Sequence, residues 1–317
     1  MALSRKQWLT WSIVAIAIVA GAMFVGDVRK LGARLEHFHW RAFAAALALS
    51  SVNYAVRFVR WQLYLRRVGA DVPFAPSAWV FASGLSLAIT PGKLGELLKS
   101  YLLQQWRGIA IETTAPIVIA ERVTDLVALL ALAIVGVAVY GIAPVLVASA
   151  AAVIGVGLLA LAWQAPTRWL ITRVMGHTKL APLRAKVFAM LDGLAALCRP
   201  APLGAATALA VPAWLCECVG FWGIANGFSG AALGLGVAIV IYAGTTIAGA
   251  LSFLPGGLGV TEASMVVLLT KWGTGMDPAT ALATTLVIRF ATLWFGVLLG
   301  LAALAVTRRK LPASAAA

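Results

Sequence analysis

The stretches Pro91-Gly92-Lys93-Leu94-Gly95-Glu96 and Pro255-Gly256-Gly257-Leu258-Gly259 share the pattern P-G-x-L-G, and each is followed by a glutamate, Glu96 at once and Glu262 three residues on. Each interrupts an apolar region, 77–106 and 233–271, that would otherwise read as a membrane span. Proline removes a backbone donor and glycine opens conformations closed to other residues, so the pair breaks a helix. In the first region the break leaves two arms of about 14 residues, which at 1.5 Å per residue reach about 21 Å. Neither arm crosses a hydrocarbon core of about 30 Å, so a re-entrant hairpin is expected. In the second region the first arm is long enough to span, and the second, 258–271, is again short.

Around these breaks the chain is 62% hydrophobic and 11% charged over 317 residues, with a net charge of +14. Soluble domains carry about 25% charged residues, so a cytosolic globular protein is excluded. No polar stretch is long enough for a separate soluble domain, which excludes a tethered enzyme with its own catalytic module. The chain therefore reads as one all-α transmembrane domain over 1–317. Six spans are expected near 8–26, 42–65, 113–139, 142–163, 203–225 and 279–306. Arg5 and Lys6 before Trp8 resemble the front of a signal peptide, but the apolar run continues to Val25. That exceeds the roughly 7–15 residues of a signal core, so an uncleaved first span is the reading.

Cytoplasmic loops carry the Lys and Arg excess. The segment 164–200 holds Arg168, Arg173, Lys179, Arg184, Lys186 and Arg199 against Asp192, and the C-terminus holds Arg308, Arg309 and Lys310. Both are placed in the cytoplasm, as are Arg66, Arg67, Arg107 and the N-terminus. The first hairpin then enters from inside and the second from outside. One discord is 27–41, which faces outward despite Arg29, Lys30, Arg34 and Arg41. The basic segment has two readings: helices on an anionic membrane surface, or a solvated linker. Because this charge serves orientation, no nucleic-acid partner is read from it.

The breaks begin 164 residues apart, and the same offset carries the spans starting near 42 and 113 onto those starting near 206 and 277. The order is thus repeated, over 8–139 and 142–306. Three crossings per unit is odd, so the second unit is expected upside down. Inverted repeats with Pro/Gly breaks at matching positions point to a secondary transporter and its binding site. A broken helix offers unpaired N–H groups and a positive dipole end to an anion such as phosphate.

Ionisable residues inside spans cost roughly 2.5–3.5 kcal/mol each at mid-helix, so they are candidates for function. Arg57 and Arg60 share a helix face; Lys93, Glu96 and Lys99 ride the first hairpin's second arm; Glu121, Arg122 and Asp125 occupy the third span. Arg289 lies deep in the last span, and Glu217 and Glu262 complete the set. These residues either pair with one another and stitch the bundle together, with Arg57 and Arg60 reaching to the inner surface, or gather around an anionic headgroup. Trp8, Trp11, Trp40, Trp61, Trp79 and Trp106 fall near span ends and read as interfacial belt. Cys198, Cys216 and Cys218 lack metal spacing and read as small buried hydrophobes. His37 and His39 have no third ligand, so neither a metal nor a cofactor is expected.

Arg57-Phe58-Val59-Arg60-Trp61, the motif at 91–96, Glu121-Arg122 with Asp125, and the motif at 255–259 with Glu262 together resemble the lysylphosphatidylglycerol synthase transmembrane region family, also called flippase-like domain proteins. The resemblance covers roughly 8–306. It implies a multi-span, lipid-handling protein of the bacterial inner membrane, and it supports Arg57, Arg60, Glu96, Glu121, Arg122, Asp125 and Glu262 as site residues. The aminoacyl-transferase domain that follows this region in the full synthase is not in this chain, so synthase activity is not implied. The expected function is transfer of an anionic phospholipid or polyprenyl-phosphate lipid between leaflets. Its headgroup would be held by these residues together with Pro91, Gly92, Lys93, Lys99, Pro255, Gly256, Gly257 and Arg289. The alternative is a membrane transferase acting on a lipid-linked substrate, with paired carboxylates as acid and base.

Overall fold

In hydrocarbon no water pairs with the backbone, so an apolar chain satisfies its N–H and C=O groups by coiling on itself. The computed structural model describes residues 28–140, 144–175 and 183–310, with the backbone alone at 28–31, 92–94, 139–140, 146 and 162. The expected first span, 8–26, lies outside the described residues, as does His177. The helices are α1 Val28–Glu36, α2 Trp40–Arg67, α3 Phe74–Leu85, α4 Leu98–Arg107, α5 Ile111–Tyr140, α6 Pro144–Ala162, α7 Gln164–Met175, α8 Arg184–Leu197, α9 Pro200–Ala225, α10 Leu235–Leu251, α11 Val260–Trp272, α12 Pro278–Arg289 and α13 Phe295–Lys310. A π-helical turn, Phe290–Trp294, joins α12 to α13 without a break.

By length and apolar composition, three of the described helices qualify to cross a membrane: Trp40–Arg67, Pro200–Ala225 and the continuous rod Pro278–Lys310. A fourth is added if Val147–Leu161 and Gln164–Met175, which meet at 79°, count as one span. Helix α5 is as long, at 30 residues, but Glu121, Arg122 and Asp125 interrupt its apolar run. The Pro-Gly breaks fall where the sequence puts them. The first separates arms of 12 and 10 residues by a 3₁₀ stretch, Pro91–Leu97. The second separates arms of 17 and 13 residues at Pro255–Gly257. Gly256, Gly257 and Gly259 all hold positive φ there, which explains the glycine density.

Small residues set how closely the helices approach. Helix α2 lies along α9, where a Cβ on Gly220 would stand 3.4 Å from Ala46. Helix α3 packs on α13, and α10 packs on α5. In these two seams a Cβ on Gly300 would fall 2.1 Å from the Ser86 amide nitrogen, and one on Gly136 would fall 2.2 Å from Val240. The main core includes Trp214, Phe221, Tyr242, Met265 and Ile288. A smaller core around Trp61, Tyr64, Phe81 and Leu103 lies between α2, α3 and α4. The described part of the basic segment forms α7 and α8. Helix α8 is tied to the start of α5 by Lys186–Glu112 at 2.7 Å and by Gly193 against Pro116.

Candidate functional site

Charged side chains in a low-dielectric interior are tolerated when they are paired and hydrogen-bonded. Helices α2, α4 and α5 and the 3₁₀ stretch at the first break bring seven together: Arg57, Arg60, Glu96, Lys99, Glu121, Arg122 and Asp125. Helical spacing arranges them. Arg57 and Arg60 sit on the buried face of α2, and Glu121 and Asp125, one turn apart, face them from α5. Lys99 Nζ lies 2.5 Å from Glu121 and 3.4 Å from Glu96, while Arg60 lies 2.7 Å from Asp125 and also donates to the Thr124 hydroxyl. Arg122 bridges Glu96 at 3.3 Å and Asp125 at 3.1 Å. Arg57 pairs with Glu96 more loosely, at 3.6 Å. Both α2 arginines thus turn inward and do not reach to the membrane surface.

The network sets four cations against three carboxylates. A further carboxylate, Glu217 on α9, acts electrostatically on Arg57 and accepts the Tyr242 hydroxyl at 2.7 Å. Arg57 Nε and Arg122 Nε are buried donors with no hydrogen-bond partner among the described residues. Arg122 is also the most accessible of the seven side chains, at 19%. It forms the exposed edge of the network.

Two tryptophans complete the surroundings. Trp214 of α9 donates Nε1 to Asp125 at 3.1 Å, a contact that no spacing within α5 announces. Trp61, read from sequence as interfacial belt, is instead fully buried; its ring lies 4.6 Å from Lys99 Nζ and its Nε1 donates to Ser77. Its place near a span end suggested the interface. The nearby lysine and serine let the indole be buried with its polar edge satisfied. Gly84 makes room for the Lys99 stem, since a Cβ there would lie 2.6 Å from Lys99 Cγ.

The second break holds its own, smaller set. Arg289 pairs with Glu262 at 2.6 Å and donates to the Gly256 carbonyl at 2.7 Å. Glu262 also accepts the Gly259 amide at 2.7 Å, so the positive end of α11 already carries an internal carboxylate. At the first break the Gly95 amide is likewise taken up, by the Thr90 hydroxyl at 2.6 Å. The two tips touch, Gly256 against Ile89. Arg289 and Glu262 thus join Pro255, Gly256 and Gly257 in one group, and Arg57, Arg60, Glu96, Lys99, Glu121, Arg122 and Asp125 form the other. Pro91 starts the 3₁₀ stretch that carries Glu96; the side-chain surroundings of Gly92 and Lys93 lie outside the described residues. The described residues contain no group of three or more His, Cys, Asp and Glu side chains able to hold a metal ion.

No curated protein matches the chain. A family model described as the lysylphosphatidylglycerol synthase TM region matches residues 12–300, in keeping with the apolar helices and with the motifs at the breaks. The chain belongs to that family of membrane domains of lipid-related proteins.

Proposed function

We propose that this protein moves an anionic lipid, a phospholipid or a polyprenyl phosphate, between the leaflets of the bacterial inner membrane, both termini lying in the cytoplasm. The observation that carries the reading is the buried network of four cations and three carboxylates beside a broken helix, with the unmatched donors Arg57 Nε and Arg122 Nε. Guanidinium groups present planar, forked donors suited to phosphate oxygens. A headgroup meets Arg122 first and draws on Arg57 next, while Glu96, Glu121 and Asp125 hold the cations in place. Because the Gly95 amide at the first tip and the Gly259 amide at the second have internal partners, and Glu262 occupies the positive end of α11, side chains rather than a bare helix end supply recognition.

In this reading 8–139 and 142–306 are inverted repeats and both broken regions are re-entrant. The packing supports it. Helix α3 of the first hairpin packs on α13 at the end of the second unit, and α10 of the second hairpin packs on α5 at the end of the first. Gly136 and Gly300, the close-approach glycines of those seams, stand 164 residues apart, the same offset as the Pro-Gly breaks. Rocking of one unit against the other would then give alternating access.

The test is leaflet exchange of fluorescent phosphatidylglycerol, its lysyl derivative and an undecaprenyl-phosphate lipid in liposomes holding the full chain. Exchange that is lost in Arg122→Ala, with thermal unfolding unchanged, supports the site. Chemical conversion of a lipid without exchange overturns the transport reading.

A further inference from the structure

We infer that Glu217 is a proton site linked to the headgroup: it takes a proton from water when an anionic lipid binds and gives it back when the lipid leaves, so that lipid and proton cross together. This rests on the transport reading above, to which it adds a co-substrate. Glu217 lies in the second half of α9 and is buried. One turn earlier on the same helix Trp214 reaches Asp125, and Glu217 itself acts electrostatically on Arg57. Its Oε2 accepts the Tyr242 hydroxyl of α10 at 2.7 Å.

Charge balance calls for such a proton. Counted with Glu217, the buried groups are four cations and four carboxylates, a neutral set. A phosphodiester drawn in by Arg122 and Arg57 adds a negative charge to a low-dielectric interior, where uncompensated charge is expensive. A proton on one carboxylate restores neutrality. Lys99 and Arg60 close on Glu121 and Asp125 at 2.5 and 2.7 Å, and Glu96 serves Arg57, Lys99 and Arg122. Lysine and arginine only donate, so protonating any of those three carboxylates strands a cation. Tyr242 carries a hydroxyl, which both donates and accepts. With Glu217 ionised, the phenol donates to it. With Glu217 protonated, the carboxyl donates to the phenol, whose own hydrogen turns to the Thr292 side chain within its reach. Thr292 Oγ1 donates to the Ile288 carbonyl, which leaves its lone pairs to accept. Both charge states of Glu217 are thus hydrogen-bonded in place.

Two further observations single out this residue. Thr292 belongs to the π-helical turn Phe290–Trp294, and its carbonyl accepts the Tyr54 hydroxyl at 2.5 Å; π turns within long helices are frequent at functional sites. Glu217 also stands 164 residues after Asn53, the offset of the Pro-Gly breaks, and the buried Asn53 amide donates to the Ala213 carbonyl. An uncharged side chain therefore meets the packing needs of the equivalent place in the first unit, and the acid in the second has another use. Facing Glu217 are Arg57 and Tyr54 of α2, Asp125 of α5 by way of Trp214, and Tyr242 of α10, with Cys216 and Cys218 beside it on α9. The charge that α12 contributes, Arg289, is taken by Glu262 at 2.6 Å.

The test has two arms. In the first, the full chain in weakly buffered detergent is titrated with short-chain phosphatidylglycerol while the pH is followed. Wild type is expected to take up about one proton per lipid bound. Glu217→Gln, whose amide oxygen still accepts the Tyr242 hydroxyl, is expected to bind lipid without uptake, and Glu217→Asp to recover it. In the second arm, liposomes hold the full chain under an imposed pH gradient, with the membrane potential clamped by potassium and valinomycin. Wild type is expected to move fluorescent phosphatidylglycerol toward the alkaline side severalfold faster than without the gradient, and Glu217→Gln to show no difference. Lipid binding without proton uptake in wild type would overturn the proposal without recourse to any variant. Uptake in Glu217→Gln equal to that of wild type would overturn it as well. Leaflet exchange with no proton uptake would remove the proton site and leave transport standing, whereas uptake in a protein that shows no exchange would keep the proton site and remove the transport reading. Failure to bind lipid at all would overturn both.

Discussion

Lys99 is enclosed by Trp61, Phe81, Glu96 and Glu121. Its ammonium is held in hydrocarbon by two carboxylates and two ring faces, and Glu96 also serves Arg57 and Arg122. Removing one partner of such a buried network leaves charge uncompensated at a cost of about 3–5 kcal/mol. Glu96→Gln is therefore expected to lower the unfolding temperature in detergent markedly. Glu262→Gln is expected to lower it less, because a Gln oxygen still accepts the Gly259 amide and Arg289 keeps the Gly256 carbonyl. Equal losses in the two variants would show that the first network is not the main electrostatic anchor. Trp214→Phe removes one donor to an ionised acceptor, a loss of about 1.5–3 kcal/mol by the same measurement. Spacing along the chain was enough to place Arg57 beside Arg60 and Glu121 beside Asp125, since partners one turn apart share a face. The choice of Glu121 by Lys99, the bond from Trp214 and the burial of Trp61 depend on which helices meet, and no local pattern encodes that.

Glycines mark how closely the elements approach. In a helix interior Gly→Ala gains about 0.5–1 kcal/mol where the site is open. A methyl group on Gly155 of α6 would meet nothing within 4 Å, whereas on Gly136 and Gly300 it would face Val240 and the Ser86 backbone. Gly155→Ala is expected to raise the unfolding temperature, and Gly300→Ala to lower it by the equivalent of the roughly 1–3 kcal/mol that overpacking costs. A stable Gly300→Ala protein would argue that the α3–α13 seam is loose. Asp277 caps α12 outside the apolar rod; Thr280, and beyond it Arg34, hold its carboxyl below the ordinary range. Its folded value being the lower one, its contribution is complete above the unfolded value of about 3.9 and disappears as pH falls through the folded value. Asp277→Asn keeps the cap, so the stability gap between wild type and variant is expected to close on acidification, as urea titrations across pH would record. The broken regions were legible as elements because proline and glycine act locally. The end of the span at Trp163 was legible too, since the apolar run 142–163 gives way there to the basic segment with Pro166 three residues on; the 79° angle of the bend was not, because it depends on how α7 packs.

For the whole molecule, the inverted arrangement rests on the 164-residue offset and on odd crossings per unit, and it has a consequence that a parallel duplication lacks. Ala110, between α4 and α5, and Thr274, between α11 and α12, are equivalent under that offset, and both are exposed. If the units are inverted, these residues lie on opposite sides of the membrane; in a parallel duplication they share a side. Placing Arg107 inside puts Ala110 in the cytoplasm and Thr274 outside, next to the Arg34–Asp277 pair. Single cysteines at the two positions can be compared with all three native cysteines replaced by alanine, because Cys198 and Cys216 are only partly buried. In intact cells a membrane-impermeant maleimide is expected to modify Thr274→Cys and to spare Ala110→Cys until the membrane is permeabilised. Modification of both from one side would remove the inverted repeat. The ion pairs of the charged network would stay where they are, since all of them join residues of the first unit.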